Sequence, residues 1–204
     1  MFNDELKKRI RRVEAEIREL ADIISSNTTS ETRRSANLKR RKKIDEWISL
    51  LREEERPLLD ELSQHGLDVP TIGSLVDKNM KLDRLLPIFK RHLSLPYHDR
   101  IKGMIAMIFA NSDARPYLDF FFSEFRNNNT TSYQTAVANV IIKHVGIKDL
   151  PSVIDLIENT KSDARTILLG VLKKYLKKSK LAQEAVRRFS LDPYLSIEIG
   201  RWRK

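Results

Sequence analysis

The feature that most constrains this chain is an apolar helical face that comes back twice in its second half. Ile101, Met104, Ile105, Ile108 and Phe109 are matched in kind by Val137, Val140, Ile141, His144 and Val145, and again by Leu168, Val171, Leu172, Tyr175 and Leu176. The offsets are 36 and 31 residues, and each five-residue set aligns without a gap. Self-similarity at a period of roughly 20–50 residues marks stacked supersecondary units. Such a unit cannot cover its own apolar face, so neighbours stack and build one extended surface. The spacing therefore predicts an all-α binding architecture and leaves the bound molecule unnamed.

Helices are expected at about 82–93, 97–110, 114–126, 132–145, 149–159, 163–178 and 181–189, with Pro87 imposing a kink or a late start on the first. The breaks are short: Leu95-Pro96, Asn111-Ser112-Asp113, Asn127 to Thr130, Gly146 to Asp149, and Lys161-Ser162-Asp163. Connections this short make consecutive helices pack antiparallel. Asp192-Pro193 pairs an N-cap with a first-turn proline, so a last helix, Tyr194–Ile199, is expected to close the open end of the stack.

The phrase Ser162-Asp163-Ala164-Arg165, followed by Thr166 to Leu172, is similar to the opening of a HEAT repeat's first helix, and His98-Asp99-Arg100-Ile101 opens another in the same manner. Residues 82–190 thus resemble a HEAT-like α-solenoid in architecture. Tetratricopeptide and ankyrin repeats have closer periods, but their Trp/Leu-Gly/Tyr and Thr-Pro-Leu-His patterns are missing.

Ahead of this segment, Leu6, Ile10, Val13, Ile17, Leu20 and Ile24 form a heptad seam, followed by the polar run Ser25 to Ser30. A second helix from about Ser35 to Arg56 continues the seam through Ile44, Trp47 and Leu51. Two readings stand: an antiparallel hairpin within the chain, or a coiled coil that makes a homodimer through residues 6–24. Pro57 is expected to begin a new or kinked helix, Leu58–Gln64, ended by Gly66, and a short helix is expected near Thr71–Lys78. The chain divides into residues 1–66, a helical hairpin or coiled coil, and residues 67–204, a HEAT-like α-solenoid with a C-terminal capping helix.

Chemistry has little to work with. There is no cysteine, and no pair among His65, His92, His98 and His144 has the spacing that sets two ligands on one helical face. Phosphate loops and nucleophile elbows are absent. Asp113, Asp149, Asp163 and Asp192 stand at helix starts, where carboxylates cap orphan N–H groups. Ser-Asp-Ala-Arg occurs at 112–115 and 162–165, out of phase with the repeat, which reads as coincidence plus capping. Some HEAT-like proteins are DNA glycosylases that hold a base with Trp, Asp and Arg, but Trp47 and Trp202 both fall outside the repeat segment. Of the aromatic run Tyr117, Phe120, Phe121, Phe122 and Phe125, only Tyr117 and Phe120 are expected to reach the surface. The expectation is a protein that is not an enzyme, with no catalytic, cofactor-binding or metal-binding residue.

No run approaches the roughly 18 apolar residues of a membrane span, and the first residues, Met-Phe-Asn-Asp-Glu-Leu, carry no apolar signal core. A cytoplasmic location is expected, with the sequons at Asn27, Asn128 and Asn129 read as polar loops.

The net charge of +10 is unevenly placed: residues 161–204 hold 12 Lys/Arg against 4 Asp/Glu. Two clusters stand out as candidate partner-binding residues. The first is Arg33, Arg34, Lys39, Arg40, Arg41, Lys42 and Lys43, within eleven residues free of acid. The second is Lys173, Lys174, Lys177, Lys178 and Lys180 with Arg187 and Arg188. A solvated face normally mixes signs, and like charges one turn apart repel by a few tenths of a kcal/mol per pair. The clusters therefore predict an acidic partner. An acidic protein surface ranks first, because stacking rings are missing near the cations. Nucleic acid, held through phosphates, is the alternative.

Overall fold

The computed structural model describes residues 4–26, 29–76, 82–128 and 130–202. About 80% of the chain is helical, and no strand occurs among the described residues. The helices are α1 (Asp4–Ser25), α2 (Ser30–Gln64), α3 (Gly73–Val76), α4 (Leu86–Leu93), α5 (Asp99–Ala110), α6 (Leu118–Asn127), α7 (Thr131–His144), α8 (Leu150–Asn159), α9 (Arg165–Tyr175), α10 (Lys180–Phe189) and α11 (Leu195–Arg201). The sequon residues Asn27 and Asn129, and the last two residues of the helix expected at 71–78, lie outside the described residues.

Helices α4, α6 and α8 share one way of starting. Each follows a 3₁₀ turn (Asp83–Leu85, Arg115–Tyr117, Ile147–Asp149), with Pro87, Pro116 or Pro151 beside the junction. Proline is tolerated there because its missing N–H is one that a first turn leaves unpaired anyway. Pro87 thus gives α4 a late start. Their buried residues keep a 32-residue spacing that also takes in α10: Leu86, Leu118, Leu150 and Ala182; Phe89, Phe121, Val153 and Ala185; Leu93, Phe125, Ile157 and Phe189. Helix α6 packs on α8 and α8 on α10, while α5 packs on α7 and α7 on α9.

In the α5–α7–α9 row, Ile105, Ile141 and Leu172 are all fully buried, as their alignment predicts. The same register is visible in the hydrogen bonds. His144 donates Nε2–H to the Phe109 carbonyl (3.0 Å), and Tyr175 donates its hydroxyl to the Val145 carbonyl (3.2 Å). His144 aligns with Tyr175 and Phe109 with Val145, so equivalent donors reach back to equivalent carbonyls. Burial lowers the His144 pKa, which favours the neutral ring used here.

Three local expectations change. Helix α2 begins at Ser30 and not at about Ser35, because Thr29 caps it by accepting the Thr32 N–H (3.3 Å). Helix α2 then runs through Pro57 without a break. An interior proline costs about 3 kcal/mol, and the burial of Leu50, Leu51, Leu58 and Leu62 on both sides of it offsets that cost. The chain leaves α2 through Gly66, whose φ of +78° suits a residue without a Cβ. Asp163, finally, is not the cap expected of it. The Ala164 N–H goes to Ser162 Oγ (3.2 Å) instead.

The Ser-Asp-Ala-Arg recurrence also changes meaning. Arg115 forks onto Asp149, with one arm at 3.0 Å, and donates to the His144 carbonyl at 2.9 Å. Arg165 pairs with Asp192 at 3.2 Å. In both copies the alanine is buried and the arginine ties its helix start to that of the helix two further on. The repeated phrase does one job twice. Burial works to raise the Asp149 pKa, but Arg115 and the Gly146 N–H outweigh it and hold it low.

Helix α2 is fastened to the rest by carboxylates. Glu54 accepts the His98 N–H (3.1 Å) and Glu55 the Ile72 N–H (3.2 Å). Glu61 meets His92 Nε2 (2.8 Å) and ion-pairs with Arg91, while His92 Nδ1 accepts the Tyr97 hydroxyl (2.8 Å). His98 bridges back to Glu14 of α1 through Nε2 (2.9 Å). Leu6, Ile10 and Val13 of the α1 seam are buried in the same core as the α5–α9 residues, and Ile17 packs at its edge.

Candidate macromolecule-binding surfaces

The first basic cluster occupies the first half of α2. Arg33, Arg34, Lys39, Arg41 and Lys42 are exposed, and no ion pair engages their side chains among the described residues. Arg40 is half-buried, with its Nε enclosed and unbonded. Lys43 is already committed, to Glu16 of α1 (2.7 Å) and to Glu46 (2.9 Å), and these partners raise its pKa. Ser30, Arg33, Arg34, Asn37, Leu38, Arg40, Arg41 and Ile44 line a groove of about 670 Å³ here.

The second cluster lies on α9 and α10 and the turn between them, with Lys173, Lys174, Lys177, Lys178, Lys180, Arg187 and Arg188 all exposed. Repulsion among these lysines is partly offset, since Lys173 and Lys174 stand in the last turn of α9, where the helix end carries partial negative charge. Arg188 is paired with Glu158 of α8 (2.6 Å). One expectation is corrected, that of missing rings: the C-terminal segment returns to α9 and sets the Trp202 ring 5.6 Å from Lys173 Nζ. A half-buried ring does adjoin the cations. Nothing in the local sequence signals this, because α9 and Trp202 meet only when α11 packs against α9.

The two clusters share no groove or ion pair among the described residues. Between them in chain order, the outward sides of α5 and α7 form a groove of about 620 Å³ lined by Trp47, Arg100, Met104, Met107, Thr135 and Asn139 among others. Trp47 lies under the Arg100 guanidinium (5.3 Å) and edge-on to His98 (6.1 Å). By sequence Trp47 lies outside the repeat segment, but α2 delivers it to the surface of the helical row. Tyr117 and Phe120 do reach the surface, half-buried, beneath Lys90 (5.9 and 5.5 Å).

His92, His98 and His144 are all held in fold-building contacts. The Glu61–His92–Tyr97 chain has the connectivity of a proton relay, yet burial pushes the Tyr97 pKa up and His92 down to about 4, so the ring is neutral and the phenol keeps its proton. It works as a bracket between α2, α4 and the start of α5. Among the described residues, no helix is long and apolar enough to cross a membrane.

The described residues form helices without strands and carry two separate basic clusters. No family model, curated protein or solved structure matches the chain.

Proposed function

We propose that this chain is a HEAT-like α-solenoid carrying an N-terminal antiparallel hairpin, and that it acts without catalysis as an adaptor or inhibitor binding an acidic protein. Two facts support the architecture. Alternate helices pack on one another in two rows, and contacts between α1 and α2 fall in sequence on one helix as they rise on the other: Glu16 meets Lys43, while Ile10 and Glu14 line a cleft with Glu54. We set the division between hairpin and solenoid at Gly66.

One observation carries the choice of partner. The large hydrophobic residues exposed among the described residues are Ile23, Leu38, Ile48, Ile147, Leu181, Leu191, Tyr194 and Ile197. All except Ile147 lie on α1 and α2 or in the C-terminal segment from α9 onward, the same two regions that hold the basic clusters. A phosphate backbone offers nothing to an aliphatic side chain, whereas a protein surface with acids around an apolar centre satisfies both. The alternative, nucleic acid, draws support from the cation–ring pairs Lys173–Trp202 and Arg100–Trp47, since rings beside cations suit unstacked bases.

The test is fluorescence anisotropy with labelled single-stranded and duplex DNA and RNA across a salt series, on the parent and on a variant with Lys173, Lys174, Lys177 and Lys178 changed to Glu. The proposal expects weak nucleic-acid binding at physiological salt. Sub-micromolar affinity falling with a log–log slope of about −0.9 per duplex phosphate, flattened by the four reversals, would transfer the function to nucleic acid.

A further inference from the structure

The stripe by which α2 docks onto the rest of the molecule continues past the point where its cover ends. Leu62, Leu58, Glu55 and Leu51 share one side of the helix and are no more than 6% exposed. Steps of three and four residues, which keep to one helical face, carry that side on through Ile48, Ile44, Arg41 and Asn37 to Arg34, with Leu38 at its edge. This continuation is bare. Ile48 is 39% and Leu38 60% exposed, and Ile44 is half-buried. Helix α1 does not cover it, because α1 lies against a different side of α2, the one bearing Ala36, Lys43, Trp47 and Leu50.

The bare stripe differs from the covered one in its flanks. Arg33, Arg34 and Arg41 border the groove with no ion pair among the described residues, and Arg40 adds a buried, unbonded Nε. An occupant must therefore supply both apolar surface for Leu38, Ile44 and Ile48 and carboxylates for the arginines. A second copy of this chain fails the charge condition, since a two-fold contact sets a patch against itself and would oppose arginine to arginine. Nucleic acid fails the apolar condition. The groove proper, lined from Ser30 to Ile44, is about 21 Å long, or about four helical turns, and Ile48 stands at its inner end.

We propose that this side of α2 is the docking groove for an acidic amphipathic helix of a partner protein, about four turns long, which completes a three-helix bundle with α1 and α2. It rests on the acidic-partner reading above and names the site and form of that partner. The recognition is helix-in-groove: apolar anchors at i, i+3/i+4 and i+7 fill the stripe, and flanking Asp or Glu meet the arginines in forked pairs.

The experiment uses the full chain and a set of labelled synthetic peptides read by fluorescence anisotropy. The peptides are acidic helices with a leucine stripe, scrambled versions of the same composition, and versions with Lys in place of Glu. The striped acidic peptides should bind, and Leu38→Asp, or Arg34→Glu with Arg41→Glu, should weaken them at least tenfold with helical content by circular dichroism unchanged. The Lys peptides should bind the charge-reversed variant and not the parent, while Lys173→Glu with Lys177→Glu should leave the striped peptides unaffected. Scrambled peptides binding as tightly as striped ones would overturn the groove and leave the acidic-partner reading standing. Failure of every acidic peptide on the parent would overturn the groove, and failure of acidic proteins at the C-terminal cluster as well would overturn the wider reading. A parent dimer by sedimentation that Leu38→Asp dissolves would assign the groove to a second copy, and displacement of bound peptide by duplex DNA would assign it to nucleic acid.

Discussion

Replacing Ile141 by Ala probes the packing of the α5–α7–α9 row at its centre. The side chain is fully buried, and α7 is flanked by α5 on one side and α9 on the other. The change removes three carbons, worth about 2.4 kcal/mol at about 0.8 kcal/mol each. A void between two neighbouring helices cannot close without moving one of them, so a cavity cost adds to this, and the total should reach about 3–4 kcal/mol. Ile105→Ala and Leu172→Ala should cost about the same, because those side chains are buried to the same depth. Ile197→Ala should cost less than about 0.5 kcal/mol, as expected of a surface position, since Ile197 is 60% exposed. The assay is urea unfolding followed by circular dichroism at 222 nm, read as a shift in midpoint at constant slope. The reasoning is refuted if Ile141→Ala costs under about 1 kcal/mol, or if Ile197→Ala costs as much as Ile141→Ala.

Acid should weaken the fold through His92. Burial holds its folded pKa at about 4, below the ordinary 6.5, so the unfolded chain takes up the proton first and stability is lost as pH falls from 6.5 to 4. The loss is at most about 3 kcal/mol, because the nearby Glu61 carboxylate favours the protonated ring; His92→Gln should flatten this part of a stability–pH profile. Glu54 acts with the opposite sign. Burial raises its pKa, so stability declines as pH climbs through that raised value, and Glu54→Gln should remove the decline. Double-mutant cycles on Arg115–Asp149 and on Arg165–Asp192 should both show favourable coupling, of order 1–2 kcal/mol for the first pair, which is partly buried and forked; zero coupling in either would break the equivalence of the two Ser-Asp-Ala-Arg phrases. Ile17→Asp should lower stability by about 1–2 kcal/mol without dependence on protein concentration. A concentration-dependent loss in sedimentation would restore the seam to a dimer contact.

Some of this was legible and some was hidden. The helix succession from 82 onward follows from short polar breaks and capping residues, which act within a turn of themselves. The 32-residue spacing of Leu86, Leu118, Leu150 and Ala182 also stands in the sequence. The faces of α5, α7 and α9 hide it, because those helices are 12, 14 and 11 residues long and their equivalent positions stand 36 and 31 residues apart. Pro57 misleads for a different reason. Its local penalty is real, and only the buried leucines on both sides of it outweigh that penalty.

What the sequence by itself determined is the helical class, the burial of the equivalent positions Ile105, Ile141 and Leu172, and the existence of two unbalanced cationic segments. These depend on periodicity, capping and charge counts, which are properties of neighbours along the chain. Only the tertiary structure decided which cations are spoken for, as Lys43 is by Glu16 and Arg188 by Glu158, and that Arg33, Arg34 and Arg41 carry no ion pair among the described residues. It alone brought Trp202 to Lys173 and Trp47 to Arg100. It also showed that one continuous stripe of α2 is covered at Leu58 and bare at Leu38. Burial and pairing are set by which distant segment arrives at a surface, and the residues at that surface carry no local record of it.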